Sequence, residues 1–288
     1  MKSALPISIV ISAALVLWYV GALWMNASLQ RDAFSNAGRS NYSSLEFVRA
    51  ELNMDRPKLP APHQIVGELV RTILQVAPSS KRSLIYHGAI TLQATLLGFF
   101  IGASLGIGLA IVIANVHILD RSLMPWIIAS QTVPIIALAP MIVVIMNQFE
   151  ITGIVPKAVI AAYLSFFPIT VGMVKGFRSP DPLHLDLLRT YSATRSQTFL
   201  KLRIPASAPF FVASMKIGVA AALVGAVVAE VTKSEDGGLG ARLLAGSYYG
   251  QTVQIWAALF AAAALSAALV ASIGYVGSLS LRRTGAQL

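Results

Sequence analysis

Apolar residues are concentrated in six stretches that are separated by polar segments. A membrane-spanning helix needs about 20 mostly apolar residues, and the few charged side chains inside these stretches lie near their ends. The pattern predicts an all-α fold, a polytopic membrane helix bundle with about six transmembrane helices. The six predicted spans are residues 4–25, 89–114, 122–149, 154–174, 209–231 and 254–281.

The first stretch follows Lys2 and could be a cleaved signal peptide. Its length, and the lack of a clear Ala-x-Ala site after Trp24, favour a retained first transmembrane helix within residues 1–30. Residues 31–82 are polar up to Leu59-Pro60-Ala61-Pro62, after which apolar residues recur at helical spacing. They predict a periplasmic loop that ends in an amphipathic helix lying on the membrane or capping the bundle.

Small residues and prolines interrupt the apolar stretches. Gly98, Gly102 and Gly106 share one helix face, which favours close approach of another helix. The third stretch contains Pro125, Pro134 and Pro140. Each proline leaves a carbonyl unbonded, and such a carbonyl must face protein or a wet cavity.

Polar side chains at membrane depth are candidates for lining a solute pathway. Hydrogen bonds between helices explain them equally well. Glu230, near the end of the fifth span, could pair with a base, take part in gating or lie among lipid headgroups. The five candidates are Gln131, Thr132, Tyr163, Ser165 and Glu230.

Composition supports membrane insertion and excludes several activities. The chain is 56% hydrophobic and 12% charged, about half the charge of an average soluble domain. It has no cysteine, its four histidines (His63, His87, His117 and His184) are scattered, and no paired carboxylates or GxSxG segment lie inside a span. We therefore expect no catalytic residues, no metal site and no cofactor.

The net charge of +10 indicates how the chain is oriented in the membrane and does not indicate nucleic-acid binding, because no basic run is interleaved with aromatic residues. Membrane lipid is the expected surrounding, and nucleic acid is not an expected partner. Basic residues mark cytoplasmic loops, and residues 175–208 and Arg282-Arg283 are basic whereas the short turn 147–153 is not. A multi-pass protein of the bacterial inner membrane with both termini in the cytoplasm follows, although the long loop 31–82 also carries basic residues.

Residues 175–208, which we call the hydrophilic hairpin, separate the fourth and fifth spans. The sequence predicts a helix beginning after Pro182, a turn near Ser192, a second helix and a stop at Ile204-Pro205. A solvated connector would have the same polarity.

The spacing within the hydrophilic hairpin resembles the loop of permeases of binding-protein-dependent ABC importers. That pattern is Glu-Ala-Ala, three residues, Gly, nine residues, Ile-x-Leu-Pro. Asp186 stands at the glutamate, Leu187 and Leu188 at the alanines, Ser192 at the glycine, Leu202 at the isoleucine and Ile204-Pro205 at the last pair. The turn is therefore made by Ser192, a residue with a Cβ, at the position where the pattern has glycine.

The resemblance extends over residues 60–281. Ser130-Gln131-Thr132-Val133-Pro134, Phe166-Phe167-Pro168 and Ala229-Glu230 before Gly238-Leu239-Gly240 are similar to the sulfonate, taurine and nitrate permeases. Within that group, residues 130–140 and 166–168 look closest to permeases for pyrimidine-type compounds, including thiamin precursors and riboflavin. The resemblance implies a type I ABC importer permease fold, with a permease core in residues 83–288.

The resemblance also implies partner proteins. The chain has no GxxxxGK[ST] loop to bind nucleotide, so a separate subunit must bind ATP. The implied partners are two copies of an ABC ATPase subunit, a second permease copy or a related chain, and a periplasmic or lipoprotein solute-binding protein. The implied ATPase contact comprises Asp186, Leu187, Leu188, Tyr191, Ser192, Ala193, Arg195, Leu202, Ile204 and Pro205.

Three other functions compete with this interpretation. A secondary transporter or channel predicts an inverted repeat and ionisable residues deep in the spans. A membrane anchor would not require prolines and polar residues at bilayer depth. An intramembrane enzyme would need a catalytic group inside a span.

Overall fold

The computed structural model describes the backbone of residues 4–39 and 41–284, and the side chains of residues 6–279 apart from Ser40 and His117. The side chains of Arg282 and Arg283 lie outside the described residues. Over the described part the chain forms helices and no strand. The helices are α1 (Ala4–Asn36), α2 (Ser44–Leu52), α3 (Pro62–Val70), α4 (Leu84–Asn115), α5 (His117–Ser130), α6 (Ile135–Gln148), α7 (Ile154–Phe177), α8 (Pro182–Thr190), α9 (Arg195–Thr198), α10 (Ile204–Ala206), α11 (Ala208–Thr232), α12 (Leu239–Tyr248) and α13 (Thr252–Thr284).

Five helices are long and apolar enough to cross a membrane: α1, α4, α7, α11 and α13. The sixth predicted span, residues 122–149, is not one straight helix. It is the pair α5 and α6, bent by 96° at the break between Ser130 and Ile135. Pro134 ends the first segment's hydrogen-bond ladder and is the N-cap of the second, because proline has no N–H to continue a helix.

The boundaries differ most at the start of the chain. The first helix extends to Asn36 rather than ending near residue 30, so the loop predicted from residue 31 begins as helix. The helix continues past the apolar stretch because no proline or glycine, the residues that commonly end helices, follows until Gly38. The helix α3 lies where the amphipathic helix was predicted, and a π-helical turn follows it at Arg71–Gln75.

The chain divides into two units, Met1–His87 with Arg242–Ala261, and Gly88–Ala241 with Ala262–Leu288. In the first unit, Asn26 of α1 binds the extended segment that precedes α3. Its Nδ2 donates to the carbonyl of Leu59 at 2.8 Å, and its Oδ1 accepts from the N–H of Lys58 at 2.7 Å. The Trp18 indole donates to the Pro60 carbonyl at 3.0 Å. A buried amide therefore satisfies backbone groups that no helix pairs.

In the second unit, α7 is the central helix and packs against α4 and α11. The predicted glycine stripe on α4 lies against α7, as the spacing indicated. A Cβ at Gly102 would lie 2.0 Å from Oγ of Ser165, and one at Gly98 would lie 2.4 Å from Cβ of Ala161. These distances leave no room for any larger residue. α4 and α7 are held together by backbone proximity, as is common for helices in lipid.

α7 also contacts α11 through small residues in close approach. A Cβ at Gly172 would meet Oγ of Ser214 at 2.0 Å, and one at Gly225 would meet Cα of Ala161 at 2.7 Å. α4 and α7 therefore begin at the end where α11 terminates. The hydrophilic hairpin joins α7 and α11 at the other end.

Candidate functional sites

The hydrophilic hairpin folds into two short helices joined by a strained turn. Asp181 caps α8 by accepting the N–H of Leu183 at 2.8 Å, and Pro182 occupies the first helical turn. Ser192 ends this helix with a φ of 52°, in the left-handed region that costs a residue with a Cβ about 1–2 kcal/mol. The Ala193 N–H then bonds the Leu188 carbonyl at 3.0 Å. The predicted helix and turn are confirmed.

The second half of the hairpin is helical for longer than predicted. Thr194 and Gln197 form a capping box that starts α9, and a π-helical turn follows at Phe199–Arg203. The predicted stop at Ile204-Pro205 is wrong, because Pro205 lies in the first turn of α10. Proline is tolerated there since the first turn has no intrahelical acceptor for its missing N–H.

The hairpin presents most of the predicted contact residues to solvent. Asp186 and Arg189 form an ion pair at 2.8 Å with side chains 64% and 79% exposed. Tyr191 is 76% exposed and is accompanied by the exposed Leu183 and Leu187. Of the ten residues, seven are exposed and three are half-buried. The exposed ones are Asp186, Leu187, Tyr191, Ser192, Arg195, Ile204 and Pro205, and the half-buried ones are Leu188, Ala193 and Leu202.

Three contacts attach the part of the hairpin that follows Phe177, the last residue of α7, to helices of the second unit. Arg178 pairs with Asp120 at the start of α5, 2.9 Å apart. Arg203 donates to the Ala114 carbonyl at the end of α4, at 3.3 Å. The rings of Phe177 and Phe199 lie 5.1 Å apart between centroids. These contacts reach three different helices, α4, α5 and α7.

The break between α5 and α6 brings together three of the pathway candidates. Gln131 caps α5 and its amide lies 3.4 Å from the Ser130 hydroxyl, while Thr132 is exposed and donates to the Ala129 carbonyl at 2.8 Å. The Tyr163 hydroxyl of α7 donates to the Ser130 carbonyl. This bond satisfies a carbonyl at the break, and the polar side chains gather there.

The other two pathway candidates lie elsewhere. Ser165 is fully buried under Gly102 and donates to the carbonyl of Ala162 at 3.1 Å, within its own helix. Glu230 is also fully buried, near the end of α11 that lies away from the hairpin. The structure therefore separates the five residues into a group at the α5–α6 break, a packing contact and a buried acid.

Glu230 is the centre of a hydrogen-bonded group that we call the Glu230 cluster: Thr91, Lys157, Glu230 and residues 236–240. Oε2 of Glu230 accepts the Thr91 hydroxyl and the Gly240 N–H, both at 2.9 Å. Oγ1 of Thr91 accepts the Leu239 N–H at 2.9 Å. One carboxylate and one hydroxyl thus hold two consecutive backbone donors of the glycine-rich loop.

Lys157 joins the Glu230 cluster from the first turn of α7. A lysine so near a helix end can extend its ammonium outward to the membrane interface, but Lys157 is 1% exposed. Its Nζ donates to the Gly237 carbonyl at 3.0 Å and interacts electrostatically with Glu230 and Asp236. A buried ammonium needs such partners, because desolvation of an unpaired charge costs several kcal/mol.

Sequence reasoning missed Thr91 and Lys157 as partners of Glu230. Thr91 lies 139 positions from Glu230, and no local pattern connects residues so far apart. The signal that was available is the glycine spacing after Glu230, since glycines favour close backbone approach. Within the described residues, no group of three histidine, aspartate or glutamate side chains could hold a metal ion.

Comparison with known proteins agrees with this architecture. Residues 102–284 match the family described as binding-protein-dependent transport system inner membrane component. The chain is 34% identical over 179 residues to the formylaminopyrimidine transport permease protein ThiX of Halalkalibacterium halodurans, covering 62% of this chain and 67% of the relative. It is 28% identical over 224 residues to the riboflavin transport system permease protein RibX of Chloroflexus aurantiacus, covering 78% and 80%.

The fold has a solved counterpart in the MetNI methionine ABC transporter in inward-facing conformations. The TM-score is 0.55 at 20% sequence identity, and the match covers 70% of this chain and 95% of the other. The likeness confirms the predicted type I ABC importer permease fold. With the family match spanning most of the chain, this multi-pass protein belongs to the inner-membrane permease components of binding-protein-dependent ABC transport systems.

Proposed function

We propose that the chain is the transmembrane subunit of an ATP-driven importer, and that the hydrophilic hairpin couples its solute pathway to a separate ATPase subunit. The observation that carries this proposal is the exposed tip of the hairpin, where Leu183, Leu187 and Tyr191 are 74%, 53% and 76% exposed. Apolar and aromatic side chains on an otherwise polar surface are typical of a protein contact.

The attachment of the hairpin supports a mechanical role. A segment that transmits movement must be firmly attached to the helices that it moves. The Asp120–Arg178 pair and the Phe177–Phe199 contact attach the hairpin to α5 and α7. Closure of an ATPase pair around nucleotide would move two hairpins together, and the bundles would follow. This requires two ATPase copies and a second permease, either another copy of this chain or a related one.

The orientation follows from the same role. The hairpin and both termini lie in the cytoplasm, and a periplasmic or lipoprotein solute-binding protein delivers solute at the opposite end. ATP hydrolysis belongs to the partner subunit, and this chain is not itself an enzyme. The family makes this function a better account than a secondary transporter or channel that is not coupled to ATP.

The solute is a small organic compound or a small inorganic anion of the nitrate type. The relatives named for formylaminopyrimidine and riboflavin support a pyrimidine-type or vitamin-precursor-like compound. The permeases named for aliphatic sulfonates in Bacillus subtilis and nitrate in Synechococcus elongatus support a sulfonate, taurine or nitrate-like solute instead. Gln131, Thr132 and Tyr163, which meet at the α5–α6 break, are the pathway residues this structure favours.

Single-cysteine labelling tests the position of the hairpin, because the chain has no cysteine of its own. We expect Tyr191→Cys to react with a membrane-impermeant maleimide in inverted vesicles but not in intact spheroplasts. Tyr248→Cys, an 80% exposed position on α12, is the matched control and should react in spheroplasts. Reaction of Tyr191→Cys from the periplasmic side would overturn the proposal.

Coupling is tested by a charge at the turn. Ser192→Glu should abolish uptake of the solute that the partner binding protein recognises, while the ATPase subunit still co-purifies. Ser192→Ala, which keeps the size of the turn residue, should retain uptake. Full transport by the glutamate variant would show that the hairpin tip does not engage the ATPase.

A further inference from the structure

The carboxylate of Glu230 is enclosed by protein groups. The glycine-rich loop lies directly on it: a Cβ at Gly238 would fall 2.0 Å from Cδ of Glu230, and Gly238 has a φ of 118°. A Cβ at Gly240 would fall 2.2 Å from the Val227 carbonyl oxygen. Only glycine fits at these positions, and the space beside the carboxylate that a solute would need is filled by the loop backbone.

The contacts of the Glu230 cluster join four parts of the second unit. Thr91 comes from the first turns of α4, Lys157 from the first turn of α7, Glu230 from the end of α11, and residues 236–240 from the loop that leads into α12. Lys157, Thr91 and Glu230 each bond a backbone atom of that loop, and Thr91 also donates to Glu230. Loss of the carboxylate would remove the bonds to the Gly240 N–H and to the Thr91 hydroxyl, and it would leave Lys157 without the carboxylate that faces it.

We propose that Glu230 is a positioning residue and not a solute ligand: through Thr91, Lys157 and the Gly240 N–H it holds residues 236–240 across the ends of α4, α7 and α11, and so keeps this end of the bundle closed. The inference deepens the proposed transport function, on which its mechanistic part rests. Opening of this end is then a step that ATP must drive against the cluster's hydrogen bonds. A weaker cluster makes that opening easier.

The attachment itself can be measured without any assumption about transport. Ala241 is 7% exposed directly after the loop, so Ala241→Cys should react slowly with a maleimide in the purified protein. Adding Thr91→Val, which removes the hydroxyl but keeps the shape, should raise the labelling rate about tenfold or more. Thr91→Ser, which keeps the hydroxyl, should restore slow labelling.

Two glycine variants supply a test that keeps every side chain of the Glu230 cluster. Gly240→Ala should accelerate labelling of Ala241→Cys, because its Cβ collides with Val227 and Glu230. Gly108→Ala on α4 is the matched control, since a Cβ there meets nothing within 4 Å, and should leave the rate unchanged. Equal labelling in Thr91→Val, Gly240→Ala and the parent protein would overturn the proposal, as would a similar increase in Gly108→Ala.

The positioning role is distinguished from simple stability by ATP hydrolysis of the complex with the co-purified ATPase subunit, measured with no solute added. We expect Thr91→Val and Glu230→Gln to raise this basal rate by about threefold or more, because the open state becomes more populated. Thr91→Ser should return it to the parent value. Fast labelling with an unchanged basal rate would overturn the positioning role, whereas failure of the parent chain to bind any ATPase would overturn the proposed function and leave the labelling result standing.

Discussion

Charged side chains are exposed to solvent at one end of α7 and α11 and buried at the other. At the hairpin end, Asp186 and Arg189 pair in solvent, with most of each side chain exposed. At the other end, Lys157 and Glu230 are buried and each has a backbone partner in the glycine-rich loop. The hairpin that joins α7 and α11 at one end thus carries replaceable charges, and the other end of these two helices carries fixed charges.

The difference follows from the cost of desolvation. An exposed ion pair contributes about 0–1 kcal/mol, so the side chains of the hairpin can exchange one partner for another at little cost. A buried charge that loses its partner costs about 3–5 kcal/mol, so the Glu230 cluster strongly favours the arrangement in this structure. A surface that docks and releases a partner suits the first condition, and a fixed closure suits the second.

Lys157→Met is expected to have the largest effect on stability. It removes the bond to the Gly237 carbonyl and leaves Glu230 without the cation that faces it, so we expect a loss of about 2–4 kcal/mol in unfolding free energy. The measurement is thermal unfolding of the purified protein in detergent. Lys175→Met, at the exposed hairpin end of the same helix, should change stability by less than about 0.5 kcal/mol.

A double variant checks the cause of that loss. Lys157→Met with Glu230→Gln leaves no unpaired buried charge, and it should recover a large part of the lost stability. If the double variant were less stable than Lys157→Met alone, packing of the lysine stem and not charge would be the dominant contribution of Lys157.

Helices were predictable because their signal is local. Apolar runs of sufficient length identified α4, α7, α11 and α13, and the glycine stripe at Gly98, Gly102 and Gly106 identified the face on which α4 packs. The spacing in the hydrophilic hairpin gave α8 and the turn at Ser192. Each of these features depends on residues within a few turns of each other.

The features that were missed depend on residues far apart in the sequence, or on sequence patterns that are compatible with more than one structure. The 96° bend between α5 and α6 could not be distinguished from a kink, because proline is compatible with both. Lys157 has the composition expected of an interfacial lysine, and only the folded loop at Gly237 explains its burial. For Glu230 the sequence offered gating, pairing or headgroup contact, and its partners come from three other segments.

Glu51 is a second buried carboxylate, and it is 2% exposed. Its Oε1, like Oε1 of Glu230, has no hydrogen-bond partner among the described residues, whereas Oε2 of Glu230 accepts the Thr91 hydroxyl and the Gly240 N–H. Burial raises the pKa of Glu51 above the ordinary carboxyl value, and Arg31 opposes this in part. The folded chain therefore binds the proton more tightly than the unfolded chain, so stability falls as pH rises from the ordinary pKa through the raised one.

Glu51→Gln should remove this fall and stabilise the protein at neutral pH by less than about 1 kcal/mol. Thermal unfolding measured from pH 4 to pH 8 provides the test, with Glu46→Gln on the exposed side of the same helix as the control. A parent and variant with parallel pH profiles would indicate that Glu51 is as well solvated in the folded state as in the unfolded one.

Ser192 offers the smallest effect, at the exposed end. Its φ of 52° is favourable for glycine and unfavourable for serine, although glycine loses more backbone entropy on folding. Ser192→Gly should therefore stabilise the turn by about 0.5 kcal/mol, seen as slower hydrogen exchange of the Ala193 N–H, which bonds the Leu188 carbonyl. Ser192→Ala keeps the Cβ and should leave the exchange rate near that of the parent. If Ser192→Ala slowed exchange as much as Ser192→Gly did, the strain would come from the serine hydroxyl and not from the backbone conformation. The positive φ of Ser192 would then not explain the strain in the turn.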